Sequence, residues 1–279
     1  METSEQNTPT MVIRPSSRWR ILPVVELWRY KELFYFLVWR DIKVRYKQTV
    51  FGASWAVFKP VMTMILFSII FGRLADLPSD GVPYPVFTFT ALLPWQLFSL
   101  ALNTSSESLV NSRGMLTKVY FPRVIMPTAS LLAGLVDFGI AFVVLLVLMA
   151  WFGIIPTLAI VTLPLFLIFA IATALSVGLW LSVLNVRFRD VKQLIPFLTQ
   201  FWLFATPIAY SSSLVPEKWR FVYALNPMTG VVDGFRWALL GTEGGFGPHV
   251  AVSAVVVVVL LVGGLAYFHK MEKSFADLV

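Results

Sequence analysis

Six apolar runs decide what this chain can fold into. They lie at about residues 52–71, 85–101, 124–152, 158–184, 194–209 and 250–268. Crossing a hydrocarbon layer of roughly 30 Å takes about 20 mostly apolar residues in a helix, whose backbone groups bond within the segment. The second run is interrupted by Pro94, and the fifth is short and carries Pro196 and Pro207. In the last run, the stretch Val255 to Val259 would suit a buried strand, but the length and lack of charge select a spanning helix. With 58% hydrophobic and 13% charged residues, the chain is far from the roughly 25% charged of a soluble domain, and too apolar for disorder. The fold expected is an all-α integral membrane protein with six transmembrane helices.

What precedes the first run is different in kind. Residues 1–25 hold charges and polar groups but no apolar core long enough for a cleavable signal, and are expected to form a flexible cytoplasmic tail. Within 26–50, Glu26, Arg29, Lys31 and Glu32 lead into seven apolar residues, 33–39, which Arg40, Asp41, Lys43, Arg45 and Lys47 follow. Seven residues cannot span. With Trp28, Tyr30, Tyr35 and Trp39 as anchors, the segment reads as an amphipathic helix along the membrane surface, its cations toward anionic headgroups. The six-span domain then occupies 51–269, and a second cytoplasmic tail 270–279.

The net charge of +7 suits a nucleic-acid partner only if the cations share one face. Seventeen of the 22 lysines and arginines instead fall before the first run, between runs two and three, between four and five, and after the sixth. Arg73, Lys218, Arg220 and Arg236 fall on the other side, and Lys59 inside the first run. The bias places both termini in the cytoplasm, which an even number of spans requires, and leaves no nucleic-acid footprint. Outside, 210–248 is the odd segment. Two pieces of helical length, 215–225 and 228–240, flank Asn226-Pro227, and a glycine-rich stretch closes them. A re-entrant or interfacial helical hairpin between spans five and six fits better than a structureless loop of that length.

Several chemistries are missing from the chain. There is no cysteine, and two histidines, His249 and His269, do not make a metal site. No glycine is followed by lysine, so a phosphate loop for ATP is absent and any ATP must be bound by a separate chain. Lys59 and Asp137 are the ionisable residues inside runs, either paired with each other or separately hydrated. An integral-membrane glycan or lipid-phosphate transferase would need paired carboxylates or a metal cluster. An ion-coupled carrier would show repeated halves. The cytoplasmic loops say more: a short helix near 113–123 would turn Leu116, Val119 and Tyr120 to a partner while Lys118 and Arg123 stay wet, and the second loop sets Arg187, Arg189, Asp190 and Lys192 around Phe188.

A family resemblance rests on specific strings. The run WRDIKVRYKQT at 39–49, with FGASWA at 51–56, resembles the start of the membrane subunits of ABC-2 type polysaccharide exporters, which include O-antigen, capsule and teichoic-acid permeases. Further matches are FGR at 71–73, LPW at 93–95, the loop ending YFPR at 120–123, NVRFRD at 185–190, ALNPM at 224–228 and GFR at 234–236. The resemblance covers about residues 26 to 268.

It implies a half-transporter in the bacterial cytoplasmic (inner) membrane that exports a lipid-linked polysaccharide. It would work as a homodimer with two copies of a separate ATP-binding subunit and no cofactor of its own. On this chain the gating helix would carry Arg40, Asp41, Arg45 and Tyr46. ATPase coupling would fall to Arg113, Leu116, Lys118, Tyr120 and Arg123 in one loop and to Arg187, Phe188, Arg189 and Asp190 in the other. Residues 215–240 would form an outer gate. Lys59 departs from the family's uncharged side chain there and would face the conduit. Sugar rings stack on aromatic faces, which makes Phe201, Trp202, Tyr210, Trp219 and Trp237 candidates for the conduit or outer gate, each equally suited to anchoring at the membrane interface.

Overall fold

A computed structural model of the chain describes residues 28–47, 52, 54–116, 118–119, 121–188, 190–242, 245–272 and 275. The tail 1–25, Tyr120 and Arg189 lie outside the described residues. Among those described, all regular structure is helical. In chain order the helices are α1 (Lys31–Tyr46), α2 (Ser54–Phe67, running on as a π-helix over Ser68–Leu74), α3 (Tyr84–Asn111), the single turn α4 (Arg113–Leu116) and α5 (Ile125–Trp151). There follow α6 (Leu163–Arg187, entered through a 3-10 turn over Leu158–Thr162), α7 (Val191–Ala205), α8 (Glu217–Ala224), α9 (Pro227–Leu240) and α10 (Pro248–Glu272).

Five of these are long and apolar enough to cross a membrane: α2 with its π-helical extension, α3, α5, α6 with its 3-10 turn, and α10. The expected fifth span differs. Its helix, α7, has 15 residues, which at 1.5 Å per residue is roughly 22 Å and short of a bilayer core. It stops where Thr206 turns extended, ahead of Pro207, whose ring disfavours a helical residue before it.

The second span is longer than hydropathy suggests. It continues ten residues past Ala101 through a polar stretch, and does so buried: Ser105, Ser106 and Ser108 are at most 5% exposed. Hydroxyls there turn back onto their own helix, Thr104 to the Leu100 carbonyl, Ser106 to Asn103 and Ser108 to Ser105. Asn185 of α6 donates to the Ser106 carbonyl at 2.9 Å. Polar groups satisfied in this way do not end a buried helix. Accordingly α3 is the axis of the fold: 78% of its most apolar window is buried, against 17–28% for the other four spans.

Around that axis α5, α6, α7 and α9 pack directly. Two apolar clusters result. The larger joins α3, α5, α6 and α9 through Phe89, Phe98, Leu145, Phe166 and Phe235. The smaller lies at the ends of α3, α6 and α10 that carry Leu109, Val183 and Phe268, and it receives Leu37 from α1 and Leu116 from α4, 0% and 6% exposed. Leu116 thus turns inward rather than toward a partner, because the adjacent helix ends offer it an apolar seat.

Helix α9 enters this packing by having no side chain at two positions four residues apart. A β-carbon on Gly234 would lie 2.0 Å from the Phe166 ring, and one on Gly230 would lie 2.8 Å from Ser253 of α10. Small residues at i and i+4 let helix backbones approach closely. Gly241 then ends α9 in the left-handed conformation, φ 70°. Gly234→Leu is expected to force α9 off α6, destabilising the protein by at least the roughly 1–3 kcal/mol typical of overpacking. Gly139→Ala, where a β-carbon meets nothing within 4 Å, is expected to leave the unfolding midpoint in detergent unchanged.

Candidate functional site

Three arrangements stand out, and the first is a polar clamp between α1 and α5. Asp137 lies in the middle of α5, where an unpaired carboxylate is costly in hydrocarbon. Its partners come from 92 and 91 residues earlier: the Arg45 guanidinium donates to Oδ2 at 2.5 Å, and the Tyr46 hydroxyl donates to Oδ1. Burial, then the Asp137 carboxylate, push the Tyr46 phenol well above its usual value, so it remains a donor. One turn back along α1, Asp41 accepts from Ser130 of α5 at 2.9 Å and from Arg40 at 2.8 Å. Lys59 is therefore not the partner of Asp137, as the sequence had allowed; its partners are Arg45 and Tyr46 of α1. The four gating-helix candidates meet here, three on α5 groups and Arg40 through Asp41.

Beside this clamp lies a cavity of about 810 Å³ between α1, α2, α3, α5 and α7. Its lining mixes two cations, Arg45 and Lys59, with the indoles of Trp55 and Trp95 and the amides of Gln96, Asn103 and Gln200. Lys59 is among the residues that line this space. The other aromatic candidates are dispersed. Trp202 packs edge-on against Phe98 at 5.1 Å and donates to Asn226 at 2.8 Å, and Trp237 packs against Phe166 and Phe246, so both are engaged with the protein itself. Phe201 and Trp219 are 66% and 55% exposed. Tyr210 shares a 2.7 Å hydroxyl contact with Tyr223 of α8, whose phenol burial pushes far above its usual value.

The third arrangement grips the segment between α7 and α8. Arg236 of α9 is 2% exposed, lies 3.5 Å over the Phe87 ring, and donates to the carbonyls of Ile208 at 2.9 Å and Tyr210 at 3.2 Å. Burial lowers its pKa to about 10, an effect that Asp233 opposes, so the group stays charged at neutral pH. The Tyr84 hydroxyl donates to the Ala209 carbonyl between them. Asn226 completes the grip: its side chain accepts from Met228 N–H at the start of α9 and donates to the Ala205 carbonyl and to Thr206. Sequence reading took Arg236 as one more outer charge and Asn226 as a helix break. The signals present were Asp233 three residues before Arg236 on an otherwise apolar helix, and an N-cap asparagine directly before proline.

At the opposite ends of the helices, the loop candidates divide. Arg113, Lys118, Arg187, Phe188 and Asp190 are exposed, with the Arg187 guanidinium 5.3 Å over the Phe188 ring. Arg123 instead turns to α10, bonding the Glu272 carbonyl at 2.5 Å while its backbone N–H donates to the Glu272 carboxylate at 3.0 Å. Lys192 pairs with Glu107 of α3 at 3.4 Å, which ties the two loops to one helix end.

Comparison with known proteins places this architecture. Residues 32–240 match the family model described as ABC-2 type transporter. The O-antigen export system permease protein RfbA of Myxococcus xanthus is 29% identical over 257 residues, spanning 91% of this chain and 98% of that protein. A protein of the same name from Klebsiella pneumoniae is 27% identical over 86% of this chain and 92% of its own length. The polysialic acid transport protein KpsM of Escherichia coli is 24% identical over 84% and 92%.

The grip of Arg236 makes a direct prediction. Arg236→Lys keeps a charge but loses the planar fork and the ring stacking. With a hydrogen bond to a charged group contributing about 1.5–3 kcal/mol, the loss of two is expected to destabilise the protein by roughly 3 kcal/mol or more. Thermal unfolding in detergent checks this, and a cysteine placed at Ala209, 6% exposed, is expected to become reactive to a water-soluble maleimide in the variant alone.

Proposed function

This chain belongs to the ABC-2 type transporter family, and from that premise we propose that it is the membrane subunit of an ATP-driven exporter of a lipid-linked polysaccharide. The cavity beside the clamp is the observation that carries the reading. Lys59 suits the phosphate that joins lipid to glycan, with Arg45 joining it when its pair with Asp137 opens, indoles at Trp55 and Trp95 suit sugar rings, and the three amides suit hydroxyls. The relatives named for O-antigen and polysialic acid transport support the same class of cargo.

The membrane arrangement follows from charge. Both termini and the two basic loops face the cytoplasm, six segments cross with α7 as a shortened fifth, and α8 with α9 forms an outer hairpin over the exit. The surface helix α1 then lies at the inner leaflet, where a lipid-linked substrate arrives. A glycan conduit needs more wall than one copy has left after packing on α3, and a closed two-fold homodimer supplies it. Members of this family work with a separate ATP-binding subunit. The exposed face of Arg113, Lys118, Arg187, Phe188 and Asp190 is its docking surface, and the tie of Lys192 to Glu107 passes a push there into α3. The chain itself carries no catalytic residue, metal or cofactor in this reading.

Deleting the gene is expected to leave the host's surface glycan absent and its lipid-linked form trapped in the cytoplasm; surface glycan at wild-type level would overturn the export role. Reversing the second loop with Arg187→Glu and Asp190→Lys is expected to lower co-purification of the ATP-binding subunit about tenfold, with unchanged membrane insertion. Undiminished co-purification would remove that loop from the docking surface.

A further inference from the structure

A second cavity, of about 500 Å³, opens beside α9 and plays no part in the reading above. Its base is buried and its rim is open. Thr229, Ser211 and Asp233 are 2%, 3% and 4% exposed, whereas Asp80, Ser213 and Arg220 are exposed. On one side Asp80 accepts from Ser211 at 2.6 Å. On the other, Asp233 Oδ2 and His249 Nε2 stand 3.7 Å apart, both buried and both without a hydrogen-bond partner. A buried acceptor with no donor is rare in a folded protein and calls for an account.

The lining selects among ligands. Two carboxylates, Asp80 and Asp233, outweigh the single guanidinium of Arg220 at the rim and disfavour an anion, and the ring of hydroxyls disfavours an apolar molecule. Among the described residues no three His, Asp or Glu side chains gather to hold a metal ion. What fits is a neutral ligand rich in hydroxyls, which donate short, charge-assisted bonds to carboxylates and accept from imidazole and side-chain hydroxyls. The volume is within the usual range for a small-molecule site.

We propose that this cavity is a saccharide subsite, in which a sugar unit of the exported glycan donates its hydroxyls to Asp233 and Asp80 and meets His249 across the ring. Resting on the export reading, it gives the outer side of the protein a point of contact with cargo that has already crossed. The subsite joins α9, the first turn of α10 and the loop carrying Asp80, so occupancy draws these three elements together.

The test uses the complete transporter, this chain with its ATP-binding partner, in nanodiscs. The probe is the host's own surface polysaccharide, freed of lipid and cleaved to fragments of one to three repeats. Saturation-transfer NMR and titration are expected to show binding that Asp233→Asn weakens at least about tenfold, the loss of a charge-assisted bond. His249→Leu, at a half-buried position in the first turn of α10, is expected to weaken it several-fold, and carries the test if the aspartate variant does not fold. Equal binding by wild type and variants would overturn the proposal. So would no binding to the wild type in a host whose surface glycan depends on the gene. A signal dependent on Asp233 from Ca²⁺ or Mg²⁺ alone would overturn it in favour of a cation. Surface glycan that persists without the gene marks failure of the export reading instead, separately from the outcome at the cavity.

Discussion

A carboxylate halfway along a membrane helix needs a partner, and at Asp137 that need decides where α1 lies. Arg45 and Tyr46 reach it from α1, and one turn earlier Asp41 meets Ser130 of the same α5. Apolar contact seats one side of α1, through Leu37 fully and Leu33, Phe34 and Val38 partly, while Tyr35, Phe36 and Val44 are 60% or more exposed. The polar clamp gives the helix one position, and the cavity beside it takes its shape from that position. Such a contact can also be undone, because Arg45 and Asp137 both line the neighbouring cavity and can be reached from it. A ligand that competes for Arg45, as a phosphate would, has the differential contact needed to shift α1 between bound and released states.

The other side of the molecule is held by different means. There α9 lies directly against α6 and α10 through Gly234 and Gly230, and Arg236 and Asn226 tie the chain that follows α7 to it. Backbone carbonyls in a buried irregular segment need partners. Arg236 does so for two of them, with its charge retained over the Phe87 ring. One side is thus locked by close backbone packing, and the other is held by a polar clamp of three contacts, Arg45 and Tyr46 on Asp137 and Asp41 on Ser130.

Much of the helical layout was legible in the sequence because bilayer thickness imposes a length on apolar runs. It was illegible where tertiary bonds replace hydropathy. The C-terminal end of α3 reads as a polar linker, yet Thr104, Ser106 and Ser108 bond back to their own helix and Asn185 donates to the Ser106 backbone carbonyl. The fifth run reads as a span from 194 to 209, yet α7 stops at Ala205, before the proline. At the candidate site, the residues of the gating helix could be named from a string, but not what they touch. Asp137 and Lys59 looked like partners because both were charges in apolar runs; nothing local marks a partner 92 residues away. Leu116 looked like a docking residue because the cluster that buries it is assembled from helix ends distant in sequence.

The position of α1 is the account's central claim, and one distance tests it. Spin labels at Val44 on α1 and Val143 on α5, 72% and 59% exposed, report their separation by pulsed electron resonance in the nucleotide-free transporter in nanodiscs. The wild type is expected to give one narrow distribution. Asp137→Asn is expected to give a broad and longer one, and the exchange Arg45→Asp with Asp137→Arg to restore the narrow one. A distribution that stays narrow and unmoved in Asp137→Asn would show that the ion pair does not hold the surface helix.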